Sequence, residues 1–146
     1  MVKTVVPSEQ SEVASRLRLA IVRIARRMRQ EAGGDLSASQ TAALATIERR
    51  GPLTPSELAQ YERIQRPTAT RVLARLEEAG LVTRAADPAD GRSSLVSLSR
   101  DGRALLERVR TRKDAFLAQR LDRLDTADRA TLERAADILE RLLEDE

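Results

Sequence analysis

The chain has 146 residues and a formal net charge of +3, room for one compact domain or for one reading module with an added helical lobe. Cysteine and histidine are both absent, which excludes disulfides, thiol redox switches, thiolate zinc sites and imidazole metal ligands, and leaves catalysis without its usual nucleophiles and proton shuttles. No apolar run approaches the ~20 residues that span a bilayer and the first residues carry no signal-peptide core, so a cytoplasmic, non-enzymatic protein without catalytic residues, metal or cofactor is expected.

Residues 1–8 read as a frayed end. Val13, Leu17, Ile21, Ile24 and Met28 then recur at three- and four-residue spacing, which predicts a long amphipathic helix stopped by Gly33 and Gly34. Ser37 and Gln40 stand in capping-box register before a second helix, whose apolar face is Leu44 and Ile47 and which Gly51 ends. Thr54-Pro55-Ser56-Glu57 combines a cap, a first-turn proline and a glutamate that can reach back, with Leu53 and Leu58 at the positions of a hydrophobic staple. This third helix is short and ends near Tyr61. A turn through Glu62-Arg63-Ile64-Gln65 leads to a fourth helix, started by Pro67 and ended by Gly80. Leu81-Val82-Thr83-Arg84 and Ser94-Leu95-Val96-Ser97-Leu98 read as two short strands joined by a polar turn. A long helix from about Ser99 carries Leu105, Val109, Leu117 and Leu121. Its polar middle, Thr111-Arg112-Lys113-Asp114, predicts a stretch that bridges two lobes and packs on neither. The last helix starts near Asp125 and carries Leu132, Ala135, Ala136, Leu139, Leu142 and Leu143. Acidic residues 144–146 oppose its dipole and predict fraying.

Residues 54–80 thus describe a helix-turn-helix. Ala69, Val72, Leu73 and Leu76 form the inner face of its second helix, which turns Pro67, Arg71 and Ala74 outward with Thr68, Thr70 and Arg75 beside them. In this motif the second helix enters the major groove of DNA. Thr68 and Thr70 can bond bases or phosphates, and Arg71 can reach guanine O6 and N7. Arg63, Arg66 and Arg75 suit phosphates, which fix register without reading sequence. An ordinary helical hairpin with a solvated charged face is the plainer alternative. The strands that follow reduce its appeal, because a hairpin with one arginine in its polar loop describes a wing. Arg92 at the tip suits a narrow minor groove, with Ser93 next to it. Asp90 is expected to accept hydrogen bonds from Arg92 and aim its guanidinium.

Asp87-Pro88-Ala89-Asp90-Gly91-Arg92-Ser93 followed by Leu95-Val96-Ser97-Leu98-Ser99-Arg100-Asp101-Gly102 resembles the wing signature of the MarR family of winged helix-turn-helix transcriptional regulators. Pro67-Thr68-Ala69-Thr70-Arg71-Val72 followed by Leu76-Glu77-Glu78-Ala79-Gly80-Leu81-Val82 is similar to that family's recognition helix and first wing strand. The resemblance extends over nearly the whole chain. It implies a mainly α fold with a small β-hairpin wing, a winged helix-turn-helix plus a helical dimerisation lobe. Residues 1–35 would be an N-terminal dimerisation helix, 36–99 the DNA-binding domain and 100–146 the C-terminal dimerisation helices. It also implies a homodimer on a palindromic operator of double-stranded DNA, repression of its own or neighbouring genes, and release by a small-molecule effector. Thr68, Thr70 and Arg71 would then be groove contacts and Arg92 the minor-groove residue.

The apolar stripes support pairing on their own account. Val13, Leu17 and Ile21, then Leu117, Leu121 and Leu124, then Leu139, Leu142 and Leu143 all lie outside a winged domain. Left exposed, they would form a larger apolar patch than monomers usually tolerate. A dimer would set its recognition helices about 34 Å apart, one turn of DNA. An effector pocket is harder to build, because Tyr61 and Phe116 are the only aromatic residues. Met28, Leu44 and Ile47 are its candidate lining. The competing function is a winged-helix module that binds protein and not DNA.

Overall fold

A computed structural model describes residues 8–34 and 36–144. Of the expected frayed start at residues 1–8 all but Ser8 lie outside that range, as do the last two residues. Among the described residues there are six helices and one two-stranded sheet: α1 (Glu9–Ala32), α2 (Ala38–Arg50), α3 (Pro55–Glu62), α4 (Arg66–Glu78), β1 (Val82–Ala86), β2 (Ser94–Leu98), α5 (Arg100–Leu121) and α6 (Thr126–Glu144).

Local chemistry sets most of the boundaries. Gly33 and Gly34 follow α1 at φ values of 62° and 92°, which side-chain-bearing residues rarely adopt. Before α2, the Gln40 N–H donates to Ser37 Oγ at 3.2 Å and the Ser37 N–H donates to Gln40 Oε1 at 2.8 Å. Thr54 and Glu57 repeat this reciprocal pair at the same two distances before α3. Leu53 and Leu58, the staple residues, are both buried. α4 starts at Arg66, one residue earlier than the proline implied, and its N-cap Gln65 makes no side-chain cap bond.

The hairpin is antiparallel, with Val82 opposite Leu98 and Ala86 opposite Ser94. β1 therefore begins one residue later and runs two further than its sequence suggested. Leu81 is taken up by the end of the preceding helix, where its N–H donates to Leu76 O at 2.9 Å, while Asp87 and Ser93 close the hairpin beyond Ala86. Leu53 adds a short third segment, exchanging backbone bonds of 3.0 and 2.7 Å with Val96.

Backbone contacts divide the chain into two compact units, one of residues 32–111 and one of residues up to 31 with those from 112 onward. In the first, Leu44, Leu58, Leu73, Leu76, Val96 and Leu106 are fully buried in one apolar core with Ile47, Leu53, Ala69, Val72, Leu81 and Val82. In the second, α6 has no buried residue, and Phe116 is buried with the Arg120 guanidinium 3.4 Å from its ring centroid.

The seam of α5 differs from expectation. Gly102, Leu106, Val109 and Phe116 are its buried positions, Leu105 and Leu117 are half-buried, and Leu121 is exposed. The polar middle spans the boundary between the two units, at residues 111 and 112, as expected of a bridging stretch; Thr111, Arg112 and Asp114 are exposed and Lys113 is half-buried. A lysine fits there because its aliphatic stem can cover apolar surface while the ammonium stays in water.

Candidate nucleic-acid interface

The turn between α3 and α4 is made by Arg63, the single described non-glycine residue with positive φ, at 51°. The turn is closed by two backbone bonds, Arg63 N–H to Gln60 O at 3.2 Å and Ile64 N–H to Ala59 O at 3.0 Å, and Ile64 packs against the core. α4 is held by Ala69, Val72, Leu73 and Leu76, the inner face expected from their spacing. Arg66, Pro67, Thr70, Arg71 and Arg75 are consequently exposed, and Thr68 is half-buried. Helix rigidity and a buried inner face fix the direction of this row, as a surface that must match a groove requires.

Thr68, Arg71, Val72 and Arg75 line one side of a groove of about 350 Å³, whose other side is Ser37, Ser39 and Gln40 at the start of α2. The sequence marks Ser37 and Gln40 as a cap, with no sign that the turn they begin stands beside α4. Two guanidinium groups and the N-terminal end of a helix make the groove electropositive. The guanidinium groups of Arg66, Arg71 and Arg75 make no hydrogen bond or ion pair with the described residues. Arg110 by contrast is paired with Glu48 at 2.6 Å. Guanidinium groups without internal partners are available to an external anion.

At the wing tip, Asp87 and Asp90 build the turn. The Ala89 N–H donates to Asp87 Oδ1 at 2.9 Å and the Arg92 N–H donates to Asp90 Oδ1 at 3.0 Å. The Ser93 N–H donates to Asp90 O at 3.0 Å. Asp90 thus grips the backbone of Arg92 and not, as expected, its guanidinium. Short acidic side chains satisfy a neighbouring backbone N–H two residues on, and that local bond outcompetes a longer-range pair at an exposed tip. Arg92 and Asp90 are exposed and Ser93 is half-buried.

The candidate contact residues of α4 and the wing all belong to the unit of residues 32–111. The expected pairing residues belong to the other unit: Val13, Leu17, Ile21, Leu121, Leu142 and Leu143 are exposed, and Leu117, Leu124 and Leu139 are half-buried. The candidate effector residues are scattered. Leu44 and Ile47 are core residues of the winged unit, and Met28 is half-buried on α1. Among the described residues no helix is long and apolar enough to cross a membrane.

Residues 36–94 match the model of the MarR family. The chain is 39% identical over 136 residues to an HTH-type transcriptional regulator of Mycobacterium tuberculosis, covering 92% of this chain and 95% of that protein. It is 38% identical over 100 residues to the multiple antibiotic resistance protein MarR of Salmonella typhimurium, covering 68% of this chain and 69% of that one. A crystal structure of a protein from Pseudomonas aeruginosa PA01 shares the fold with a TM-score of 0.83 at 36% identity, over 94% of this chain and 98% of that chain.

Proposed function

The chain belongs to the MarR family of DNA-binding, winged helix-turn-helix transcriptional regulators, and from that premise we propose that it is a sequence-specific repressor of its own or neighbouring genes, working in the cytoplasm as a homodimer on a palindromic operator. The observation that carries this reading is the row of exposed Arg66, Thr70, Arg71 and Arg75 on α4, with guanidinium groups that no described residue occupies. Arg71 reads a guanine edge, Thr68 and Thr70 touch bases or the thymine methyl, and Arg66 and Arg75 hold phosphates. Arg92 enters the minor groove from the wing. The domain roles belong to the same reading: 36–99 reads DNA, while 1–35 and 100–146 pair two copies through the exposed apolar side chains of α1 and α6, the start of α5 up to residue 111 belonging to the winged unit. A small-molecule effector that releases the operator belongs to the same reading. With one Tyr and one Phe in the chain, its pocket would be aliphatic and arginine-lined.

Selection of bound duplexes from a random pool tests the proposal directly. A palindrome with half-sites one helical turn apart is the expected product. Recovery of no preferred sequence, with no retarded band on duplex at low salt, would overturn it in favour of a protein-binding module. Salt separates the two as well: 6–10 phosphate contacts lose ~10³–10⁵ in affinity between 50 and 200 mM salt, and an apolar protein interface does not.

A further inference from the structure

Arg84 lies in β1, where the strand pleat puts it on the same face as Val82 and opposite Val96. Val82 and Val96 are the last buried residues of the hairpin, so the core ends beside Arg84. The guanidinium does not join the row of free arginines. Its Nε donates to Glu77 Oε2 at 2.5 Å, and one terminal nitrogen donates to Ser94 Oγ at 3.2 Å. Glu77 is in the last turn of α4 and Ser94 begins β2. One side chain therefore ties the recognition helix to both strands of the wing.

We infer that Arg84 is a positioning residue for DNA binding: by holding Glu77 and Ser94 together it sets the angle of the wing against the recognition helix, so that Arg92 and the exposed row of α4 meet one duplex at once. The inference rests on the DNA-binding reading of α4 and the wing. Beyond Arg84 the hairpin has, among the described residues, only its own ladder and turn bonds. The tip lies four to five residues on, about 15 Å at ~3.3 Å per residue, so a swing of about 10° at Arg84 carries Arg92 through about 2–3 Å. A displacement of that size is enough to lose a groove contact that needs sub-ångström placement.

The pair is too exposed to matter much for folding, with 27% of the Arg84 side chain and 46% of the Glu77 side chain accessible. Orientation is what remains for it to do, and that makes the inference separable from stability. The full chain lacks cysteine, so Ala89→Cys places a single nitroxide on the wing tip. In Arg84→Ala and in Glu77→Ala the label should become measurably more mobile in the electron spin resonance spectrum, with the melting midpoint within about 3 °C of the parent. A double-mutant cycle on the duplex recovered from the random pool supplies the second readout. Arg92→Ala should cost at least tenfold in the parent and less than threefold in either clamp variant, while Arg71→Ala keeps its full effect in all three. Arg84→Lys, able to pair with Glu77 but too short of donors to span to Ser94 as well, should fall between. Unchanged label mobility, additive losses, or a large fall in melting temperature each overturn the inference. If the parent binds no duplex, the DNA-binding reading fails by itself, and label mobility still decides whether the clamp holds the wing.

Discussion

A Cβ added to Gly102 would stand 2.0 Å from the carbonyl oxygen of Leu81 and 2.9 Å from its carbonyl carbon. The first turn of α5 thus rests directly on the backbone where α4 gives way to the wing. The contact is fastened by Ser99, whose N–H donates to Leu81 O at 3.0 Å and whose hydroxyl donates to Gly80 O at 2.6 Å and accepts from the Gly102 N–H at 3.0 Å. Backbone cannot yield as a flexible side chain can, so Gly102→Ala should lower unfolding stability by about 3 kcal/mol, the upper end for overpacking. Urea titration followed by circular dichroism measures it. A loss under about 1 kcal/mol would mean that the two segments can part without consequence.

Among the described residues Thr46 is the one buried polar side chain, and its hydroxyl donates to the Glu62 carboxylate and accepts from the Arg49 guanidinium at 3.3 Å. Glu62 ends α3 immediately before the left-handed Arg63, so this bond braces the helix-turn-helix corner against α2. Thr46→Val keeps the shape and removes the hydroxyl, leaving a half-buried carboxylate short of a donor. A hydrogen bond to a charged group is worth about 1.5–3 kcal/mol. We expect Thr46→Val to lower stability by about 1.5 kcal/mol, read from the shift in urea midpoint at unchanged slope, with Glu62→Gln losing less because its amide can still accept. Equal stability of Thr46→Val and parent would show that the bond braces nothing.

The elements that carry their own end signals were legible in the sequence, and those defined by distant partners were not. Ser37 with Gln40 and Thr54 with Glu57 are local pairs, readable because both partners lie within one turn. The inner face of α4 followed from spacing for the same reason. In α5 the spacing picks Leu105 and Leu117 where the structure buries Leu106 and Phe116, because adjacent apolar residues satisfy a three- or four-residue rhythm equally well, while Val109 is buried as expected. Only packing against the core selects Leu106. Leu53 pairing with Val96, Gly102 resting on Leu81 and Arg84 reaching back to Glu77 all join residues whose meeting depends on the fold. Within the candidate interface, the exposed row and the wing tip were foreseen. Missed were the neighbouring start of α2 and the division of the arginines into occupied and free.

Arg71 and Arg92 should fail in different ways. Arg71 is on the exposed face of α4, and a bidentate guanine contact discriminates by about 1–3 kcal/mol. Arg71→Ala should therefore flatten preference at one position of each half-site while leaving binding to duplexes already altered there nearly unchanged. Arg92 is held at its backbone by Asp90 with its guanidinium outward, and Arg92→Ala should weaken all sequences together. It should also lower the slope of log affinity against log salt by about 1 per protomer. Fluorescence anisotropy over a salt series, on the selected duplex and its single-base variants, separates the two patterns. The same uniform loss in both variants would remove Arg71 from the base-reading set.

Pairing should be a condition of tight binding. Leu17, Ile21 and Val13 lie on one stripe of α1 with 41%, 45% and 56% of their surface accessible, and Leu142 on α6 is 62% accessible. Apolar side chains this open at helical spacing call for a partner surface, and a second copy supplies the same stripes by symmetry. Leu17→Asp with Ile21→Asp would put two carboxylates on that stripe, where burial without a partner charge is strongly unfavourable. The winged unit keeps its own core, so circular dichroism should retain most of its helical signal while sedimentation shifts from dimer to monomer. Affinity for the full palindrome should then fall by 10²-fold or more, because two linked half-site contacts become one, while affinity for a single half-site changes little. A variant that sediments as the parent does, or a monomer that still grips the full operator as tightly, would separate the apolar stripes from the DNA-bound assembly and return α1 and α6 to an unknown purpose.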